Sequence, residues 1–142
     1  MIVKVKRLSQ EAKMPKQEHH DDSGFDIYSA EEVIIKPFER KLVSTGISLE
    51  IPKGYEGQIR PKSGLAIKHG ISMVNTPGTI DAGYRGEIKV ILINLGNEEY
   101  KVEKGKKIAQ IVFAKVEQPK LIESELKETK RGSKGFGSTG LS

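Results

Sequence analysis

Gly86-Glu87-Ile88-Lys89-Val90-Ile91-Leu92-Ile93-Asn94-Leu95 is the longest stretch of regular strand patterning in the chain. Ile88, Val90 and Leu92 share one face, while Ile91, Ile93 and Leu95 share the other. Lys89 keeps the start of the second face polar, so burial on both sides is expected from residue 90 onward. A strand of an antiparallel domain normally wets one face, and double burial therefore implies an inner sheet or a subunit interface. Lys107 to Val116 repeats the pattern, with Ile108, Gln110, Val112 and Ala114 alternating against Ala109, Ile111, Phe113 and Lys115.

Working outward, shorter strands are expected at Ile2 to Lys6, Glu32 to Ile35, Lys41 to Leu49 and Glu56 to Arg60. Pro37 and the Ile51-Pro52-Lys53-Gly54 turn punctuate them. The polar stretch up to Asp22 lacks helical periodicity, and a single short helical turn is expected around Leu65 to Lys68. Many short strands with such punctuation predict an all-β sandwich or barrel. From residue 117 the chain reads as a departing arm in which Leu121, Ile122 and Leu126 could dock; Arg131 onward is rich in glycine, serine and threonine.

Composition removes whole classes of function. A chain of 142 residues fits one domain. The absence of cysteine excludes disulfides, thiolate nucleophiles and Cys-ligated metal sites. No apolar run is long enough to span a bilayer, and Met1 to Val5 does not open a secretory signal, so a cytoplasmic location without a membrane partner is expected. A net charge of +5 suits an anionic ligand, but no dense basic block marks a nucleic-acid face, and no stable nucleic-acid partner is expected. His19-His20-Asp21-Asp22 is a solvated loop or a metal or proton-transfer site, with no third ligand at zinc spacing.

Four segments carry chemistry. In Ser23 to Ala30, Gly24 permits a close turn and Asp26 lies between apolar neighbours, as a turn element or as a functional acid. Arg60-Pro61-Lys62-Ser63-Gly64-Leu65 assembles cations, a hydroxyl and a flexible N–H before a short helix; it is a phosphate cradle or a basic turn, and its spacing is not that of a P-loop. Asn75 to Glu87, punctuated by Pro77-Gly78 and Ala82-Gly83, is an ordinary turn or a hairpin whose backbone reads a planar ligand. There Asp81 is the candidate for orienting water, and Tyr84 could form an aromatic wall. Arg131 to Gly140 is a flexible tail or a flap, with Phe136 to stack on a base and Arg131 to grip phosphate.

Taken in order, and with Gly105-Lys106-Lys107-Ile108-Ala109-Gln110 as a fifth segment, these stretches resemble the five motifs of the trimeric deoxyuridine triphosphatases. Two positions depart from the usual pattern: Lys62 stands where Arg is common, and Gly83 where Asp often precedes the tyrosine. The resemblance implies a jelly-roll-like distorted β-barrel over residues 1–130 and a glycine-rich arm over 131–142. It also implies a homotrimer with sites shared between subunits, and hydrolysis of dUTP to dUMP and diphosphate with Mg2+. Asp81, Ser63 and Gln110 would be catalytic. Lys62, Gly64, Asn75, Thr79, Ile80, Tyr84, Lys89, Arg131, Phe136, Ser138 and Thr139 would bind substrate, and Asp26 would reach the metal through water. A dCTP deaminase-like enzyme and a noncatalytic nucleotide-binding relative of the same fold are the alternatives.

Overall fold

The computed structural model describes residues 1–140, so the last two positions of the expected arm lie outside the described residues. Eleven strands and one helix follow in the order β1 (Lys4–Arg7), β2 (Phe25–Tyr28), β3 (Val33–Ile35), β4 (Arg40–Ser44), β5 (Ile47–Glu50), β6 (Tyr55–Arg60), α1 (Ser63–His69), β7 (Ile71–Met73), β8 (Gly78–Ile80), β9 (Lys89–Asn94), β10 (Tyr100–Val102) and β11 (Lys107–Lys115). They form four antiparallel sheets, ordered β1-β5, β10-β3, β2-β11-β6-β8 and β4-β9-β7. This is a distorted jelly-roll barrel. Its core is aliphatic: Ile27, Ile35, Val43, Ile59, Ile88, Val90, Leu92 and Ile111 are almost wholly excluded from solvent. None of the helices among the described residues is long and apolar enough to cross a membrane.

Three local readings are corrected. Lys41 to Leu49 is two strands, because the chain leaves β9 at Ser44 and joins β1 at Ile47. Gly46 makes the crossing at φ +72°, with Ala12 packed where a Cβ would stand, so only glycine fits there.

Gly86 to Ile88 does not belong to β9. Ile88 instead donates its N–H to Ile47 O at 2.8 Å, and Glu87 accepts the N–H of Gly46 at 3.0 Å. The longest strand is accordingly β11.

The third correction concerns the two faces of the long strands. In β9, Val90 and Leu92 are buried, but Ile91 and Ile93 are only half-covered and Leu95 is exposed. The chain by itself does not bury the outer face of β4-β9-β7, where Leu42 sits opposite Ile91. In β11 the register slips between Lys107 and Ala109 against β2, a bulge that places Ile108 and Ala109 in the core in succession. Ile108 therefore joins Ala109 and Ile111 inside, while Lys107 and Gln110 come to share the other side, facing Asp26 on β2.

The strand-bearing body ends at Lys115, and Val116 is pinned by its N–H to Gly54 O at 2.9 Å. Residues 117–130 carry no strand or helix, and Leu121, Ile122 and Leu126 remain exposed instead of docking on their own chain.

Candidate active site

The residues singled out by sequence fall into three groups. The first lies on the segment from Asn75 to Glu87, where the expected hairpin is corrected: its strand β8 pairs with β6 and not with β9, so the segment is a strand followed by a turn and not a paired hairpin. β8 adds to the edge of β6 through Gly57↔Ile80 and Ile59↔Gly78, and Gly78 fits because Asn75 and Ile59 crowd the position of any side chain. Asn75, Thr79, Ile80, Asp81, Tyr84 and Lys89 then line one depression of about 490 Å³, together with Leu42, Glu87, Ile88 and Ile91. Its lining mixes polar residues with the apolar Leu42, Ile80, Ile88 and Ile91, a combination common in small-molecule sites. Tyr84 folds back so that its hydroxyl donates to Glu87 O at 3.1 Å, and Asp81 O accepts the N–H of Tyr84 at 3.1 Å. The Ala82-Gly83 turn closes without an Asp before the tyrosine.

The second group is charged. β2 and β6 flank β11, so Gln110 lies opposite both Asp26 and Arg60. The Gln110 amide donates from Nε2 to Pro61 O at 3.0 Å, and its Oε1 occupies the space in which Gly24 would carry a Cβ. Asp26 is 5% exposed and fully partnered: Lys62 Nζ donates to Oδ1 at 2.5 Å and Lys107 Nζ to Oδ2 at 3.0 Å. Burial by itself pushes this carboxyl up, but the hydrogen bonds from Lys62 and Lys107 outweigh it and hold Asp26 below the usual carboxylate range. Lys107 is also held by Glu18 Oε2 at 3.0 Å, and Glu18 and Asp26 together push its ammonium upward. Ser63 and Gly64 follow Lys62 directly in the first turn of α1, both exposed.

The third group is the arm. Lys130, Arg131, Lys134, Phe136, Ser138 and Thr139 surround a separate depression of about 670 Å³ that includes no residue of the other two groups. Phe136 is fully exposed at φ +51°, and Arg131 Nε donates to Lys134 O at 3.1 Å. The arm is thus folded on itself and not onto its own barrel.

Asp26 on β2 and the strand β8 stand on opposite edges of the sheet β2-β11-β6-β8, three strand spacings or roughly 14 Å apart. A single chain brings together the depression beside β8 and, separately, the charged cluster. Lys107 and Glu18 were given no role by sequence reasoning. Lys107 lay inside a quoted motif, but only the bulge in β11 shows which way it faces.

The family model described as dUTPase matches residues 10–140. This chain belongs to the dUTPase family. A deoxyuridine 5'-triphosphate nucleotidohydrolase of Clostridium kluyveri is 56% identical over 141 residues, covering 99% of each chain. The protein of the same description from Nautilia profundicola is 57% identical over 141 residues with the same coverage. Among solved structures, a dUTPase variant of Staphylococcus bacteriophage 80alpha with dUpNHpp superposes with a TM-score of 0.92 at 31% identity, covering 99% of both chains. As a family member the chain is a dUTP diphosphatase, and its reaction is the Mg-assisted hydrolysis of dUTP to dUMP and diphosphate.

Glu87 accepts the N–H of Gly46, which ties the turn between β4 and β5 to the segment before β9. In the His19 to Asp22 loop, Asp22 Oδ2 accepts the N–H of His19 at 2.9 Å, an exposed local turn.

Proposed function

We propose that the depression beside β8 binds the deoxyuridine end of dUTP and that a water held by Asp81 attacks the α phosphorus. The observation that carries this reading is the convergence of Asn75, Thr79, Ile80, Asp81, Tyr84 and Lys89 on one depression, although they span a turn and two strands. Asn75 and the backbone of Thr79, Ile80 and Lys89 complement the edge of uracil; cytosine would leave unpaired groups there. The tight backbone leaves no room for the methyl of thymine. Tyr84 packs against deoxyribose and crowds a 2'-hydroxyl. Asp81 takes a proton from the attacking water, while Ser63 and Gln110 hold the oxygens of the α phosphate. Lys62 and the Gly64 N–H extend the cradle, and Arg131, Ser138 and Thr139 of the arm grip the terminal phosphates, with Phe136 stacked on the base.

The donor set bears on the metal. Among the described residues there is no cluster of three His, Asp or Glu side chains able to hold an ion, and both oxygens of Asp26 are taken by lysines. The single chain thus offers no three-carboxylate set of its own, and magnesium arriving as the complex with dUTP would supply neutralisation of charge on the departing diphosphate. Asp26 meets that complex through the metal's water shell.

The wide separation of the three groups and the half-covered face bearing Leu42, Ile91 and Ile93 support a homotrimer with shared sites. One subunit supplies Asp26, Lys62, Ser63 and Gln110, a neighbour supplies the Asn75 to Tyr84 segment, and the third supplies the arm. A tetraanionic nucleotide does not cross membranes unaided, which supports a cytoplasmic location for the reaction.

Incubation with magnesium and dUTP in H2-18O tests the reading. The label is expected in dUMP and not in diphosphate, and dCTP is expected to remain unchanged. Label in diphosphate, or release of ammonia from dCTP, overturns it.

A further inference from the structure

Asp26 is a buried carboxylate with two cations, and the two are not equivalent. Lys62 gives its ammonium to Oδ1 alone, from the residue that joins β6 to α1. Lys107 divides its ammonium between Oδ2 of Asp26 and Oε2 of Glu18, each at 3.0 Å. Two acids and two bases alternate along one line, Glu18, Lys107, Asp26 and Lys62, and their formal charges cancel.

We propose that Glu18 and Lys107 form the fixed half of a divided carboxylate site, so that Lys62 can leave Oδ1 of Asp26 for the phosphates of the incoming nucleotide. Lys107 and Glu18 are positioning residues; neither touches substrate. The inference rests on the reading that Asp26 faces the magnesium water shell and Lys62 the phosphates.

The reason lies in what happens to Asp26 when Lys62 moves. A buried carboxylate that loses its only cation is left charged and unpaired, which is strongly unfavourable. With Lys62 as its single partner, Asp26 would hold that lysine against the pull of a phosphate. Lys107 removes the obstacle, since Oδ2 keeps a charge-assisted hydrogen bond throughout. Once Lys62 has gone, the remaining set of Glu18, Lys107 and Asp26 carries one net negative charge, and Oδ1 is turned to the ligand. That exposed oxygen attracts the hydrated cation on the nucleotide. Loading with magnesium and release of Lys62 are therefore coupled, and the coupling passes through Lys107.

Glu18 explains why Lys107 stays. A lysine has three donors on a flexible stem, and a single carboxylate would let it follow Lys62 toward the phosphates. A second acid on the loop before β2 holds it back. The bulge in β11 is what brings Lys107 to this side of the strand at all.

The test is calorimetric titration of the full chain with dUpNHpp, with and without magnesium. The ratio of the two affinities is the coupling factor, expected at about 5- to 150-fold in the unaltered protein from the usual range of linkage between sites. In Lys107→Met this factor is expected to fall to near unity, in Glu18→Gln to an intermediate value, and in Lys107→Arg to recover. Thermal melts establish that each variant is folded, and a merely structural lysine would shift the melt without changing the factor. A folded Lys107→Met protein with an unchanged factor overturns the proposal. Should that variant not fold, an unchanged factor in Glu18→Gln, whose site of change is exposed, overturns it equally. Asp26→Asn separates the two levels of argument: retention of the coupling factor there defeats the reading of Asp26 itself, whereas its loss there with retention in Lys107→Met defeats only the role given to Lys107.

Discussion

Tyr84 lies with the hydroxyl end of its ring directly over the α-carbon of Gly86, so close that no Cβ could stand there. The ring is held in this fold-back by its hydroxyl hydrogen bond to Glu87 O. Gly86 is thus the residue that lets Tyr84 form a wall of the depression beside β8, two positions along the same turn.

Gly86→Ala should displace Tyr84 while leaving Asp81 in place. If Tyr84 packs against deoxyribose, the preference for dUTP over UTP, measured as the ratio of kcat/KM values, should drop by about 10-fold or more, the scale on which a pocket rejects one added group. Unchanged discrimination with a displaced ring would remove Tyr84 from sugar selection.

Asp81→Asn keeps the size and turn chemistry of the side chain but removes the base. Turnover at saturating magnesium and dUTP should fall by at least about a hundredfold, within the range of general-base contributions, with nucleotide affinity little altered. Near-normal kcat in that variant would assign the water to another group.

The depressed ionisation of Asp26 has a consequence for stability in acid. Because Lys62 and Lys107 hold the folded carboxyl below its unfolded value, their contribution is complete above the ordinary Asp range near pH 4 and is lost as pH falls through the folded value. Glu18, also held down by Lys107, acts in the same direction. The melting temperatures of the unaltered protein and Asp26→Asn should therefore differ most at neutral pH and converge below about pH 4. A gap that stays constant down to pH 3 would show that the two lysines do not stabilise the ionised form.

Truncation after Lys130 should leave the assembly intact and sharply lower activity, since among the described residues no core residue lies beyond that point. Mixing the truncated chain with full-length Asp81→Asn chains, once labelled subunits show that exchange occurs, should restore part of the activity. Exchanged heterotrimers no more active than the parents would mean that each arm serves its own subunit.

Much of this was legible in the chain itself. Alternation marked Val90, Leu92 and Ile111 as core, and the Pro52 to Gly54 turn ended a strand where it does in the structure. The helix after Lys62 and the turn at Asp81 were likewise local, because turns and caps are written in neighbouring residues; that β8 pairs with β6 and not with β9 was not legible.

What periodicity could not show is where strands change partners and which faces remain uncovered. The break at Gly46 follows from β4 and β5 pairing with different sheets, and the flanking sequence continues the same alternation across it. Ile91 and Ile93 look as apolar as Val90, yet only packing distinguishes the core face from one left half-covered. The charged cluster was the least visible of all. Glu18 and Lys107 meet across 89 positions of sequence, and Lys107 faces Asp26 only because a bulge reverses the alternation of β11. Residue types and local spacing determined the motifs, the turns and the strand-forming segments. Tertiary structure alone decided which charges neutralise one another, since that depends on strand register and on contacts between distant parts of the chain.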